Sequence, residues 1–228
     1  MKKLIAYFTL VISGALLCFT SVSLGQSTSF FSNLGQTPVG SLPIGNNAWC
    51  ATDFITSLNS SGYLLNSVQL RLDTPTGTPS GLTVAIYDRS SINGIQIGGL
   101  LETLSGAAPS GSGVFTFQSA GLALGPSRLY YLVATAATPV ASGSYRWDIT
   151  PWLQPPPDSS PELFGARPSI YQSADGFSWN ITRGNNFMFA INATAVPEPS
   201  SFVLLGLGGS FLFTRLSRKS RAKTLSQP

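Results

Sequence analysis

Histidine is missing from this 228-residue chain, and charge is sparse, with 10% of residues Asp, Glu, Lys or Arg. Without imidazole there is no Ser-His or Cys-His nucleophile and no His-ligated metal centre. Cysteine occurs twice, as Cys18 and Cys50. Lysine is absent between Gln26 and Val196, so that stretch holds no Ser-x-x-Lys pair. No Asp-x-Asp-x-Asp-Gly calcium loop and no phosphate-cradling glycine pattern occurs either. These absences argue against an enzyme and against any bound cofactor or metal. What is abundant is apolar: 43% of residues are hydrophobic, alongside 23 Gly and 16 Pro. That is enough for the core of one domain with appendages.

The formal charge of +4 belongs to the two ends. Lys2 and Lys3 open the chain, and Arg215, Arg218, Lys219, Arg221 and Lys223 close it. The body carries Arg71, Arg89, Arg128, Arg146, Arg167 and Arg183 against a slight excess of acids. It has no cationic stripe that tracks a phosphate backbone, so nucleic acid is excluded as a partner.

Both ends read as addresses. Met1-Lys2-Lys3, an apolar run from Leu4 to Phe19 and the small exit residues Ser23-Leu24-Gly25 predict a secretory signal peptide helix over 1–25. Its removal leaves Cys50 as the sole thiol, which excludes an intramolecular disulfide and makes a free buried thiol the expectation. At the other end Pro197-Glu198-Pro199 stiffens the chain and stops any strand. Phe202 to Phe213 then reads FVLLGLGGSFLF, and the basic cluster follows. The apolar span, about 200–216, approaches the lower length limit of a transmembrane helix. Arg215, Arg218, Lys219 and Arg221 would hold the end on the cytoplasmic side. The predicted organisation is signal peptide 1–25, β domain 26–196 and sorting tail 197–228.

The order Pro-Glu-Pro, short Gly-rich apolar span and Arg-rich end resembles the PEP-CTERM sorting signal of exopolysaccharide-producing bacteria. The resemblance implies recognition by exosortase, a membrane protease-transpeptidase, with Pro197, Glu198 and Pro199 as the sorting motif. It also implies a transient membrane-anchored precursor and delivery to the cell envelope, outer surface or extracellular matrix.

In the body the hydrophobic period is two. Leu64, Asn66, Val68, Leu70 and Leu72 alternate with Leu65, Ser67, Gln69 and Arg71. The series Leu82-Val84-Ile86, Phe115-Phe117, Tyr145-Trp147-Ile149 and Phe187-Phe189-Ile191-Ala193 alternates likewise, and Leu129 to Ala134 is apolar on both faces. Trp49 to Ile55 and Gln96 to Leu104 add further strands. Turn clusters at 59–62, 73–81, 90–94, 106–113, 142–143 and 183–186 punctuate them. Eight or nine strands with no helical stripe predict an all-β fold, an antiparallel β-sandwich of jelly-roll-like kind. The Pro-rich stretch 151–168 is expected to be a long loop. The motifs Trp49 to Thr56, Tyr63 to Leu72, Leu82 to Asp88, Tyr130 to Val133 and Phe187 to Ala190 together resemble the choice-of-anchor type R domain. That resemblance implies an extracellular β domain and carries no activity.

Function classes narrow accordingly. A glycosidase requires two carboxylates facing one sugar, and nothing pairs any two of Asp53, Asp73, Asp88, Glu102, Asp148, Asp158, Glu162 and Asp175. Asp148 beside Trp147 is the most tempting, but alternation sends neighbours to opposite faces. Trp152, Tyr171 and Trp179, with Phe177, are the candidate glycan contacts if exposed; buried, which is the expectation, they cap one end of the sandwich. The primary expectation is a non-enzymatic exported protein of structural or adhesive role. The alternatives are a carbohydrate-binding module contacting exopolysaccharide and, less favoured, a polysaccharide hydrolase.

Overall fold

The computed structural model describes residues 28–89, 97–151 and 169–196. Among them are fourteen strands: β1 (Thr28–Ser32), β2 (Gly40–Ile44), β3 (Trp49–Ile55), β4 (Tyr63–Gly77), β5 (Thr83–Arg89), β6 (Ile97–Leu104), β7 (Gly113–Gln118), β8 (Ala123–Leu124), β9 (Leu129–Thr135), β10 (Gly143–Pro151), β11 (Ile170–Ser173), β12 (Asn180–Thr182), β13 (Asn185–Phe187) and β14 (Phe189–Ala195). They form two antiparallel sheets. The first has eight strands along the path β1-β14-β4-β10-β13, with β2 on β10 and β7 and β8 on β4. The second has six, in the order β12-β11-β3-β9-β5-β6. One hydrophobic core lies between them, fed by Val68, Leu70, Trp147 and Phe189 from the first sheet and Cys50, Phe54, Ile86 and Leu132 from the second. The protein is an all-β sandwich.

The alternating runs explain most of this. Tyr145 and Trp147 are buried inward from β10, and Phe187, Phe189, Ile191 and Ala193 from the last two strands. The Trp147 indole stacks on Phe187 with centroids 4.1 Å apart, and its Nε1–H donates to the Met188 carbonyl oxygen at 2.9 Å. A stacked, hydrogen-bonded indole fixes the centre of the core, because apolar area and a satisfied polar atom coincide there.

Three expectations about local structure change. The predicted phase of β4 fails at its start: Leu65 is fully buried while Leu64 is exposed. The cause is a β-bulge, since Ala193 pairs with Leu65 and Asn192 with Ser67, leaving Asn66 as the extra residue. An inserted residue reverses the parity of everything before it. The turn expected from Asp73 begins later, because β4 runs on to Gly77 paired with Gly143. Pro75 is accommodated opposite a second irregularity, between Ser144 and Arg146. Asn185-Asn186, expected as a turn, pairs with Thr150 and Pro151 as β13. Pro43 sits in β2, which pairs only with β10 and so needs no second ladder bond.

Candidate functional site

Cross-strand geometry on the outer surface of the first sheet assembles four charged side chains from β4 and β10. Arg71 Nε lies 3.2 Å from Asp148 Oδ2, and Arg146 Nε lies 3.9 Å from Asp73 Oδ2. Ser41 of β2 joins them: its hydroxyl donates to Asp73 Oδ2 and accepts from Arg146 Nε. A depression of about 390 Å³ opens beside this group, lined by Pro38, Gly40, Arg71, Asp73, Gly113 and Asp148. Desolvation raises the Asp148 pKa, against the pull of the Arg71 hydrogen bond. Both carboxylates are thus occupied by guanidinium and hydroxyl donors. Asp148 and Trp147 do point to opposite faces, the indole to the core and the carboxylate to Arg71.

The outer surface of the second sheet is aromatic. Ala51, Tyr131, Val133 and Tyr171 are buried there, with Trp49, Tyr87, Leu129, Trp179 and Ile181 packed around them. Tyr131 and Tyr171 meet edge to face at 5.4 Å. Asp53 pairs in register with Tyr131 and is 5% exposed. Its Oδ1 accepts the Ser169 N–H at 2.7 Å. Burial pushes the Asp53 pKa up to about 6, opposed by that hydrogen bond. Desolvation, with the neighbouring Asp53 charge next, raises the phenols of both Tyr131 and Tyr171. Tyr171 therefore lies in a packed cluster and presents no open ring face to solvent. Sequence reasoning left Asp53 in a list of acids. The parity of β3, which puts residues 49, 51 and 53 on one side, was the available signal.

At one end of the sandwich, where β3 begins, Trp49 and Trp179 are half-buried and Phe177 is 86% exposed. A turn mounts Phe177 rigidly. Asp175 Oδ1 accepts the N–H groups of Phe177 and Ser178, each at 2.8 Å, and the Ser173 hydroxyl at 2.9 Å. These bonds hold the Asp175 carboxyl down at about 2. Gly176, at φ 78°, lies flat on the Trp49 indole, where a Cβ would stand 3.2 Å from three ring carbons. Trp179 Nε1–H closes the turn onto the Gly176 carbonyl oxygen at 3.1 Å. Trp49 was not among the sequence candidates, because nothing local links it to residues far along the chain.

Cys50 is buried in the core, with its thiol pushed up to about 12 by desolvation, so it is inert at neutral pH. No three His, Cys, Asp or Glu side chains gather as metal ligands among the described residues. Nor is any helix there long and apolar enough to cross a membrane. Trp152, the signal peptide 1–25, Pro197, Glu198, Pro199, Arg215, Arg218, Lys219 and Arg221 lie outside the described residues, as do both expected terminal helices.

The point where the body hands over to the tail is well defined. The Val196 N–H donates to the Gly62 carbonyl oxygen at 3.0 Å, and Asn59 Nδ2 donates to the Val196 carbonyl oxygen at 3.2 Å. The last strand is thus fastened down to the residue before Pro197. The model of the PEP-CTERM protein-sorting motif matches residues 195–219, beginning on the final residue of β14. A β-sandwich running straight into a C-terminal sorting signal defines an exported protein whose precursor is anchored in a membrane. More particularly, the motif marks a PEP-CTERM protein, a substrate for exosortase processing. The match covers none of the body before Ala195, and the choice-of-anchor resemblance is not confirmed by it. No curated protein matches the chain.

Proposed function

We infer that the mature protein is a non-enzymatic β-sandwich of the cell envelope or extracellular matrix with a structural or adhesive role. One observation carries this reading: each of the six described acids of the body is committed to holding the fold. Asp53 holds the Ser169 N–H, Asp73 the Thr74 N–H and Ser41, Asp88 the Gly99 N–H, Glu102 Ser119 and Ala120, Asp148 Arg71, and Asp175 its turn. A general acid or nucleophile needs a carboxyl free to meet substrate. Screening the recovered surface protein against the host's exopolysaccharide and common glycans for released reducing ends tests this. No release is expected, and turnover lost on Asp73→Asn or Asp148→Asn would overturn it. Fractionation should place the protein in the envelope or matrix, and in the membrane when exosortase is deleted.

A second reading, glycan contact, is favoured by the exposed Phe177 beside Trp49 and Trp179, since aromatic faces stack on the apolar side of a pyranose. Retardation in exopolysaccharide-containing gels, abolished by Phe177→Ala together with Trp179→Ala, would support it over a purely structural role.

A further inference from the structure

Chain entry and chain exit share one end of the sandwich. Thr28 opens β1 paired with Ala193, and Val196 is fastened to the Asn59–Gly62 turn. That turn and the 122–128 segment are built together. Tyr63 pairs with Leu124, the Ser127 N–H donates to the Ser57 carbonyl oxygen, and Thr56 and Arg128 exchange backbone and hydroxyl hydrogen bonds. Gly62 adopts φ 75° with its Cα against the Leu124 carbonyl, where a Cβ would collide. The surface so formed is rigid and nearly uncharged. Between Thr56 and Tyr63 and between Ala120 and Arg128 the only charged side chain is the exposed Arg128, and on the neighbouring β5 Asp88 and the exposed Arg89 reach the same end, Asp88 opposite Tyr130. The carboxylate of Glu102, which reaches this end, is taken up by Ser119 and Ala120. Leu58 stands out of the turn at 85% exposure, and Leu64 is exposed beside the exit strand.

We propose that this end, with Leu58 at its tip and Arg128 beside it, rests on the surface of an anionic phospholipid bilayer while the precursor is anchored. The proposal rests on the membrane-anchored precursor implied by the sorting motif. Six residue steps separate Val196 from Phe202, where the apolar run begins, at most about 20 Å of chain. The end that carries the tail is therefore held within reach of headgroups. A protruding leucine there inserts favourably into the interface, and the exposed Arg128 and Arg89 meet anionic lipid rather than repelling it. The Trp49–Phe177 end is the opposite one, the whole length of β3 away, on the order of 20 Å. Anchoring thus turns the aromatic end outward.

The test uses the chain from Gln26 onward, tail included, so that Cys18 is gone, in exosortase-free vesicles of phosphatidylethanolamine and phosphatidylglycerol. Leu58→Cys and, separately, Phe177→Cys are labelled with an environment-sensitive dye, and Cys50 is too buried to compete. Lipid carrying a headgroup quencher should quench the dye at 58 roughly twofold or more beyond that at 177, as for a probe ~5–10 Å into the interface. Arg128→Gln should reduce the dependence of that quenching on phosphatidylglycerol content. Protein that floats with the vesicles but is quenched equally at both positions overturns the proposal and leaves anchoring intact. Protein that does not float overturns anchoring and the proposal together. Shielding of position 58 seen only in native membranes containing exosortase overturns the lipid assignment and gives the surface to the protease.

Discussion

The two sheets bury polar groups in different ways. In the eight-stranded sheet every one that matters has a partner across strands. Asp148 meets Arg71, Ser144 meets Thr76, and Thr150 donates to Gln36 and Thr37. In the six-stranded sheet two neighbours on β3 are less well compensated, although Asp53 accepts the Ser169 N–H. Asp53 sits among phenols at a raised pKa, and Thr52 is buried in the core with its hydroxyl unpartnered. The first sheet spends its polar groups on specifying register, through bulges and cross-strand pairs. The second accepts desolvated ones on a strand pinned between β9 and β11. Stability in the first should therefore be sensitive to deletion, and in the second to protonation.

Asn33 offers the sharpest attack on the first half of that contrast. It is 2% exposed, its Nδ2 donates to the Phe187 carbonyl oxygen and its Oδ1 accepts the Phe189 N–H, both at 2.7 Å. The side chain replaces a missing rung where β13 passes into β14. Asn33→Ala leaves a buried carbonyl and a buried amide unsatisfied, and should cost about 2–4 kcal/mol in urea denaturation. A loss below about 1 kcal/mol would mean that the first sheet tolerates orphaned groups as the second does.

How much of this was legible beforehand follows from what the pattern encodes. Alternation gave the sandwich and the inward Trp147 and Phe189, because burial of one face is written every second residue. It misplaced Leu64 and Leu65, because a bulge at Asn66 is set by the partner β14 and leaves no mark in β4 itself. The tail was readable because its three elements are contiguous and a family model recognises them. The Trp49–Phe177 end and the Asp53 cluster were not, since they join β3 to β11 across a separation that periodicity does not encode.

Next in size is a pH effect that should be centred on the second sheet. A carboxyl whose folded pKa lies above its unfolded value of ~3.9 favours the folded state most when protonated. Asp53 titrates at about 6 in the fold, so its contribution is whole below about pH 4 and is lost as pH climbs through 6. The total is on the order of 2–3 kcal/mol. Asp148, raised in the same direction, adds a smaller slope of the same sign. Asp53→Asn keeps an acceptor for the Ser169 N–H and removes the titration. Its melting temperature should vary much less between pH 4 and 7 than that of the parent, and should exceed it at pH 7. An unchanged pH profile would show that Asp53 is ionised and solvated in the fold, and the contrast between the sheets would disappear.

The smallest expected effect is a gain, and it comes from the other face of the same strand. Thr52 is fully buried between the sheets, in register with Leu132 on β9 and Ile170 on β11. Its Oγ1 is shielded from water and has no hydrogen-bond partner among the described residues. Thr52→Val keeps the β-branched shape that the strand favours and exchanges the stranded hydroxyl for a methyl. Removing an unsatisfied group without leaving a partner behind should stabilise the sandwich by about 0.5–1.5 kcal/mol. The companion change in the first sheet, Thr150→Val, removes the one hydroxyl that donates to Gln36 Oε1 and the Thr37 carbonyl oxygen and should destabilise by a comparable amount. Opposite signs for the same substitution in the two sheets would fix the comparison on the pairing of each hydroxyl. Equal signs would trace it to threonine itself.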